Sequence, residues 1–230
     1  MLSLKIEVPE EMSTDTLPAF QRIAVLLREN IINGNLQAGQ ALAENELAAL
    51  CDTSRNTLRE ALRFLHGEGL MDYQHNRGVF VRQLTQRDVR DIYKARRYLE
   101  VLAIQSSPSI SEFHLHKMAG QLDLALTAAN NNDWRTFGTH SLRFHQRIVH
   151  MLGCARFNEF FSVLLAQLRL LFASGEHEGN FQRPWLERDQ SIFDLLKAQR
   201  TTEACKSLTA YLEQSEQQIM SAFTTRMNGV

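Results

Sequence analysis

The chain has 230 residues, 44% of them hydrophobic and 22% charged, which suits one or two folded domains with a sizeable core and excludes wholesale disorder. Its 25 basic and 26 acidic residues leave a formal net charge of −1, a sum that argues neither for nor against a nucleic-acid partner. Three widely separated cysteines, Cys51, Cys154 and Cys205, form no zinc spacing and no disulfide framework, which fits a reducing cytosol. The N-terminus lacks the apolar run of a signal peptide, and no stretch approaches membrane-span length, so a cytoplasmic protein with no membrane partner is expected.

In chain order, residues 1–16 read as a flexible arm. A helix follows over roughly 18–33, with Ile23, Leu26, Leu27 and Ile31 inward and Asn33-Gly34 as its C-terminal cap. "LQAGQAL" turns the chain, and "AENELAALC" (43–51) is a short helix. After the tight link "DTS" comes "SRNTLREALRFL", which places Leu58, Ala61, Leu62 and Leu65 at helical spacing on one arc. Arg55, Arg59 and Arg63 fall within roughly 80° of one another on the adjoining arc. Ser54 can cap this helix, which exposes Arg55 and Asn56 at its N-terminal end. "GEG" stops it, and "LMDYQ" and "VFVRQL" read as two short strands around the turn "HNRG".

A helix, a helix–turn–helix and a hairpin, in that order, describe a winged helix whose second paired helix enters the major groove of DNA. Even here charge balances: Arg22, Arg28, Arg55, Arg59, Arg63, Arg77 and Arg82 stand against Glu29, Glu44, Glu46, Glu60, Glu68, Asp52 and Asp72. Any DNA contact therefore depends on where the charges sit. Arg suits guanine O6/N7 and Asn suits adenine, while the polar, basic tip His75-Asn76-Arg77-Gly78 suits a phosphate or the minor groove.

Residues 20–82 resemble the DNA-binding domain of the GntR family of bacterial transcription regulators, through "ENIINGNLQAGQAL", "ENELAALCDTSRNTLREAL", "LHGEGL" and "NRGVFV". The resemblance puts Ser54, Arg55, Asn56, Thr57 and Arg59 at base- and phosphate-contacting positions, with His75 and Arg77 on the wing. It departs at Asn45, where some relatives carry Arg.

From Thr85 onward no strand pattern appears. Six helices are expected, at about 87–105, 111–130, 133–151, 155–173, 184–199 and 201–223, packed as an antiparallel bundle. The fold class is thus mainly α: a winged helix–turn–helix over 17–84 and a six-helix bundle over 85–230. Several apolar arcs carry inward polar groups: Arg96 with Glu100 one turn on, Ser141 and His145, Asp189, and Tyr211. Arg96–Glu100 can be a simple i,i+4 pair, and a single inward His is more often a hydrogen-bonded core residue than a ligand. Four helices each contributing such a group point instead to convergence on one pocket, because an unpaired buried charge is costly.

This half resembles the FCD ligand-binding domain of the FadR branch, in its VanR-like six-helix form, through "DIYKARRYLE" and "DWRTFGTHSLRFHQRIVHMLG". Many FCD domains hold a divalent metal through an Asp and three His. At those positions this chain has Ser141, His145, Asp189 and Tyr211, so at most His145 and Asp189 serve as metal ligands. The resemblance then implies an effector held directly, with Arg96 taking its carboxylate. The expected function is a repressor that binds a palindromic double-stranded DNA operator as a homodimer and responds to a small organic acid. The alternative is an architectural DNA-binding protein with an inert bundle. No nucleophile elbow, phosphate loop or H-E-x-x-H accompanies His145 and Asp189, so an enzyme is not expected.

Overall fold

The computed structural model describes residues 5–7, 16–172 and 178–228. The chain divides into two compact units, one of Met1–Leu84 with Arg169–Ser174 and the other of the remainder.

In the first unit α1 (Ala19–Ile32) buries Ala24, Leu27 and Ile31. It packs against α3 (Arg55–Gly67), whose Leu58, Ala61, Leu62 and Leu65 are fully buried as their spacing predicts. Arg28 of α1 and Glu68 just beyond α3 form a two-bonded, largely buried ion pair that ties the ends of these helices together. Between them lies α2 (Glu44–Leu50), with Leu47 and Ala48 inward.

The wing is β2 (Met71–Gln74) and β3 (Gly78–Val81), paired antiparallel with Met71 opposite Val81 and Gln74 opposite Gly78. Asn76 and Gly78 take positive φ (59° and 92°), the conformation that a turn between two right-twisted strands requires. The strand β1 (Ala41–Leu42) was not expected; it pairs with the other edge of β3, giving the order β1-β3-β2. Two residues are too few to show alternation, so only the partner strand defines this one. Within the arm, the Asn30 side chain accepts from the Glu7 backbone N–H and donates to its carbonyl, which fastens residue 7 to α1. Residues 1–4 and 8–15 of the expected flexible arm lie outside the described residues.

The second unit contains α4 (Gln86–Gln105), α5 (Glu112–Asn130), α6 (Trp134–His150), α7 (Ala155–Phe172, its last four residues grouped with the first unit), α8 (Glu178–Lys197) and α9 (Thr201–Asn228). Thr85 opens α4 with a reciprocal capping box to Asp88. Pairings fix the directions. Tyr93 meets Ser215 and Val101 meets Cys205, so α4 and α9 run antiparallel; only residues 131–133 separate α5 from α6, which pack together with Gln121 against His140 and so fold back as an antiparallel pair.

One boundary differs clearly from expectation. Pro184 was expected to start the fifth helix, yet α8 begins at Glu178 and carries Pro184 inside it. An interior proline forfeits one backbone hydrogen bond, at a cost of about 3 kcal/mol. Burial of Trp185, Ile192 and Leu196 on the same helix works against that cost. The rest of the expected break, residues 173–177, lies outside the described residues. Among the described residues no helix is long and apolar enough to cross a membrane.

Candidate functional site

The first candidate site is the exposed face of α3. Ser54 accepts the Thr57 backbone N–H at 3.1 Å, and its hydroxyl lies 2.9 Å from that of Thr57. The cap thus orders the first turn and leaves Arg55 and Asn56 exposed at its start. Arg59 is not a free cation. Its Nε donates to Glu44 Oε2 of α2 at 2.7 Å, with the side chains 53% and 27% exposed.

Sequence reasoning did not single out Glu44, which lies 15 residues from Arg59 and shares no helix with it. Tyr73 of β2 was also missed. Its ring meets His66 edge-on at 5.4 Å, while 45% of the residue is exposed. Burial raises the phenol's pKa, and Arg63, Glu44 and Arg59 all lie near enough to act on it. These groups from α2, α3 and β2 therefore share one neighbourhood. At the wing turn His75 and Arg77 are exposed, and the Arg77 guanidinium lies 5.5 Å from the centre of the Phe80 ring.

The second candidate site lies inside the helical unit. Arg96, Ser141, His145, Asp189 and Tyr211, from four helices, are all buried. The structure connects them. Arg96 Nε donates to Glu100 Oε1 at 2.6 Å, and Glu100 Oε2 lies 2.6 Å from His145 Nδ1. On the far side of the imidazole, His145 Nε2 stands 3.3 Å from Asp189 Oδ1, close but not aligned as a hydrogen bond. Asp189 Oδ2 accepts the Ser141 hydroxyl at 2.6 Å. The Tyr211 ring lies 4.8 Å from both the His145 and Trp185 rings. Glu100, noted in the sequence only as a neighbour of Arg96, is the hub of this network.

Electrostatics follow from the geometry. Burial alone would raise the Glu100 pKa, but Arg96 and His145 outweigh it and hold the carboxyl below its ordinary range. Burial alone would likewise lower His145, but Glu100 outweighs it, and the imidazole pKa is raised despite Arg96. A ring with carboxylate oxygens at both nitrogens favours the doubly protonated form. Two cations, Arg96 and His145, then balance two carboxylates, Glu100 and Asp189. Burial and then Asp189 push the Tyr211 phenol well above its ordinary pKa, so it stays protonated.

Within this cluster, four buried atoms have no hydrogen-bond partner among the described residues: Arg96 Nη2, His145 Nε2, Asp189 Oδ1 and Trp185 Nε1. An open groove of about 450 Å³ lies elsewhere, on the side of α4 lined by Lys94, Arg97, Tyr98, Val101 and Thr209. The unmatched bonding capacity is inside, so the interior cluster is the better candidate.

These residues do not fit a divalent metal. Ser141 spends its hydroxyl on Asp189, Tyr211 is held protonated, and the Arg96 guanidinium stands within the same cluster. Among the described residues no group of three or more His, Cys, Asp or Glu is placed to hold one.

The chain is therefore a winged-helix protein carrying an α-helical domain with a buried polar centre. The family model for bacterial regulatory proteins of the GntR family matches residues 19–81, and the FCD domain model matches residues 91–214. The chain belongs to the GntR family, in its FadR branch with an FCD domain, and is a DNA-binding transcription regulator rather than an enzyme.

It is 29% identical to the HTH-type transcriptional regulator YdhC of Bacillus subtilis (strain 168), across 78% of this chain and 81% of that one. It is also 29% identical to the gluconate operon transcriptional repressor of Bacillus licheniformis, across 57% of this chain and 54% of that one. The crystal structure of a GntR transcriptional regulator from Rhodococcus sp. RHA1 superposes with a TM-score of 0.81 at 34% identity, covering 88% of this chain and 98% of that one.

Proposed function

We propose that the protein is a repressor that binds a palindromic operator as a homodimer through residues 17–84 and is released by a small carboxylate held in residues 85–230. One observation carries the effector half: Arg96 is almost wholly buried, gives Nε to Glu100, and keeps Nη2 without a partner. A buried guanidinium N–H left unmatched costs about 1–3 kcal/mol, and a carboxylate oxygen would supply the strongest partner available to it. Asp189 Oδ1 and Trp185 Nε1 offer an acceptor and a donor for hydroxyls on the same ligand. The rings of Tyr211, Trp185 and His145 pack against one another in the same cluster. The relative named for a gluconate operon supports a hydroxylated carboxylate.

On DNA, α3 lies in the major groove with Ser54, Arg55, Asn56, Thr57 and Arg59 toward bases and phosphates, and His75 and Arg77 reach an adjacent backbone. The two-fold axis of a homodimer matches the operator's symmetry, one α3 per half-site. Only four residues separate β3 from α4, which carries Arg96 and Glu100. A ligand that draws on Arg96 therefore acts on the helix that continues the wing, and shifts the population of DNA-competent arrangements.

The second reading, a bundle indifferent to small molecules, is favoured by the mutual pairing of Arg96, Glu100, His145, Asp189 and Ser141. One experiment separates the two. A panel of sugar acids and short organic acids is added to the full-length protein on a duplex selected by the wild type from random sequence. The proposal expects at least one carboxylate to release wild-type protein, and Arg96→Met to bind the duplex normally but ignore that carboxylate. Arg96→Met responding like wild type would overturn it. Sedimentation of the free protein is expected to give a dimer at micromolar concentration.

A further inference from the structure

Among three exposed arginines on one face of α3, only Arg59 is held by an acidic partner. Arg55 and Arg63 have no ion pair among the described residues, whereas the Glu44 carboxylate sits on the Arg59 Nε at 2.7 Å. Neutralising one cation of three on a DNA-binding face is costly for affinity, since every phosphate contact gains from positive charge. The geometry offers a return for it. A carboxylate on Nε fixes the plane of the guanidinium and leaves both terminal amino groups as a two-pronged donor edge. That edge matches guanine O6 and N7. A guanidinium free to rotate would settle on the nearest phosphate, which carries no sequence information.

Glu44 is well placed for this. It is the first residue of α2, so its bond to Arg59 joins α2 to α3, and Tyr73 of β2 and Arg63 lie close enough to share their electrostatic field. Its own negative charge repels phosphates, which disfavours any docking that brings this end of α2 against the DNA backbone.

We propose that Glu44 is a positioning residue for base readout: it holds Arg59 in the orientation that reads one base pair in each half-site, and it penalises binding to DNA lacking that pair. Glu44 lowers raw affinity and raises specificity. This rests on the proposed placement of α3 in the major groove of each half-site and not on the effector.

The test uses the full-length protein with Glu44→Ala, Glu44→Gln and Arg59→Ala. Each is assayed on duplexes carrying every single-base variant of the wild-type-selected site, and on a mixed non-specific duplex across a salt series. Glu44→Ala is expected to lose discrimination at one base-pair position per half-site by roughly fivefold to a hundredfold. It is expected at the same time to bind the non-specific duplex more tightly, with a log–log salt slope steeper by about one as Arg59 turns to a phosphate. Glu44→Gln, which keeps an acceptor oxygen, retains part of the discrimination. Arg59→Ala loses discrimination at the same position, and the double variant loses no more than Arg59→Ala alone. Unchanged discrimination in Glu44→Ala would overturn the proposal. So would a uniform loss on all duplexes, or additive losses in the double variant. A melting temperature within a few degrees of wild type confirms that each variant is folded when these are read.

Discussion

Two ion pairs in this protein have nearly the same geometry and opposite surroundings. Arg59 and Glu44 meet at 2.7 Å with side chains 53% and 27% exposed, while Arg96 and Glu100 meet at 2.6 Å with side chains 2% and 0% exposed. In the first pair water competes for both groups, so the pair contributes only about 0–1 kcal/mol to stability and its value lies in where it aims a guanidinium. In the second pair the charges are cut off from water, so each depends on the other and on His145 and Asp189. The lesson is one of division. The exposed face of α3 keeps its charges accessible and weakly coupled, available for exchange with phosphates and bases. The centre of the helical unit locks its charges into a network in which each side chain depends on the next.

Deletion of the acid in each pair tests this contrast most severely. Glu100→Ala strands two buried cations and is expected to cost about 3–5 kcal/mol in urea unfolding, whereas Glu44→Ala should stay within about 1 kcal/mol. Comparable losses would abolish the distinction between the pairs.

Next in size is the effect on recognition. Arg55→Ala should lose about 1–3 kcal/mol of operator discrimination without a change in melting temperature. Arg77→Ala should instead weaken binding to all sequences and flatten the salt slope by about one unit, as expected for a phosphate contact. If both behaved alike, the division of labour between α3 and the wing would be wrong.

A smaller effect is expected from Ser54→Ala, which removes the side-chain acceptor for the Thr57 N–H and should destabilise the protein by about 1 kcal/mol in urea.

The last prediction sets two histidines of α6 against each other. His145 has a raised pKa, so its contribution to stability is present below the ordinary value near 6.5 and is lost as pH climbs through its folded value. His150 is pushed down to about 4 by burial, then by Arg147 and His114. The unfolded chain therefore binds its proton first, and stability falls as pH drops from about 6.5 toward 4. Urea midpoints from pH 4.5 to 8.5 should show His150→Gln flattening the acid limb and His145→Gln flattening the alkaline limb. Either variant flattening the other limb would reverse these assignments.

Much of the fold was legible because periodicity reports burial directly. Leu58, Ala61, Leu62 and Leu65 had to face a core, and Ser54 had to cap the helix they belong to. The six helices of the second unit followed from the same signal, and so did the inward positions of Arg96, His145, Asp189 and Tyr211. The misses share one cause. Strand β1 is two residues long and exists only through Phe80 and Val79 opposite it. Helix α8 runs through Pro184 because tertiary packing overrides a local preference.

Amino-acid order alone thus determined which residues face inward, which arginines line one helix face, and that four polar side chains could not be buried without partners. Only the tertiary structure decided who those partners are. Glu44 reaches Arg59 across 15 residues, and Glu100 reaches His145 across 45. Helical spacing reaches only one turn ahead, and an ion pair between helices depends on how they pack, which no local pattern encodes.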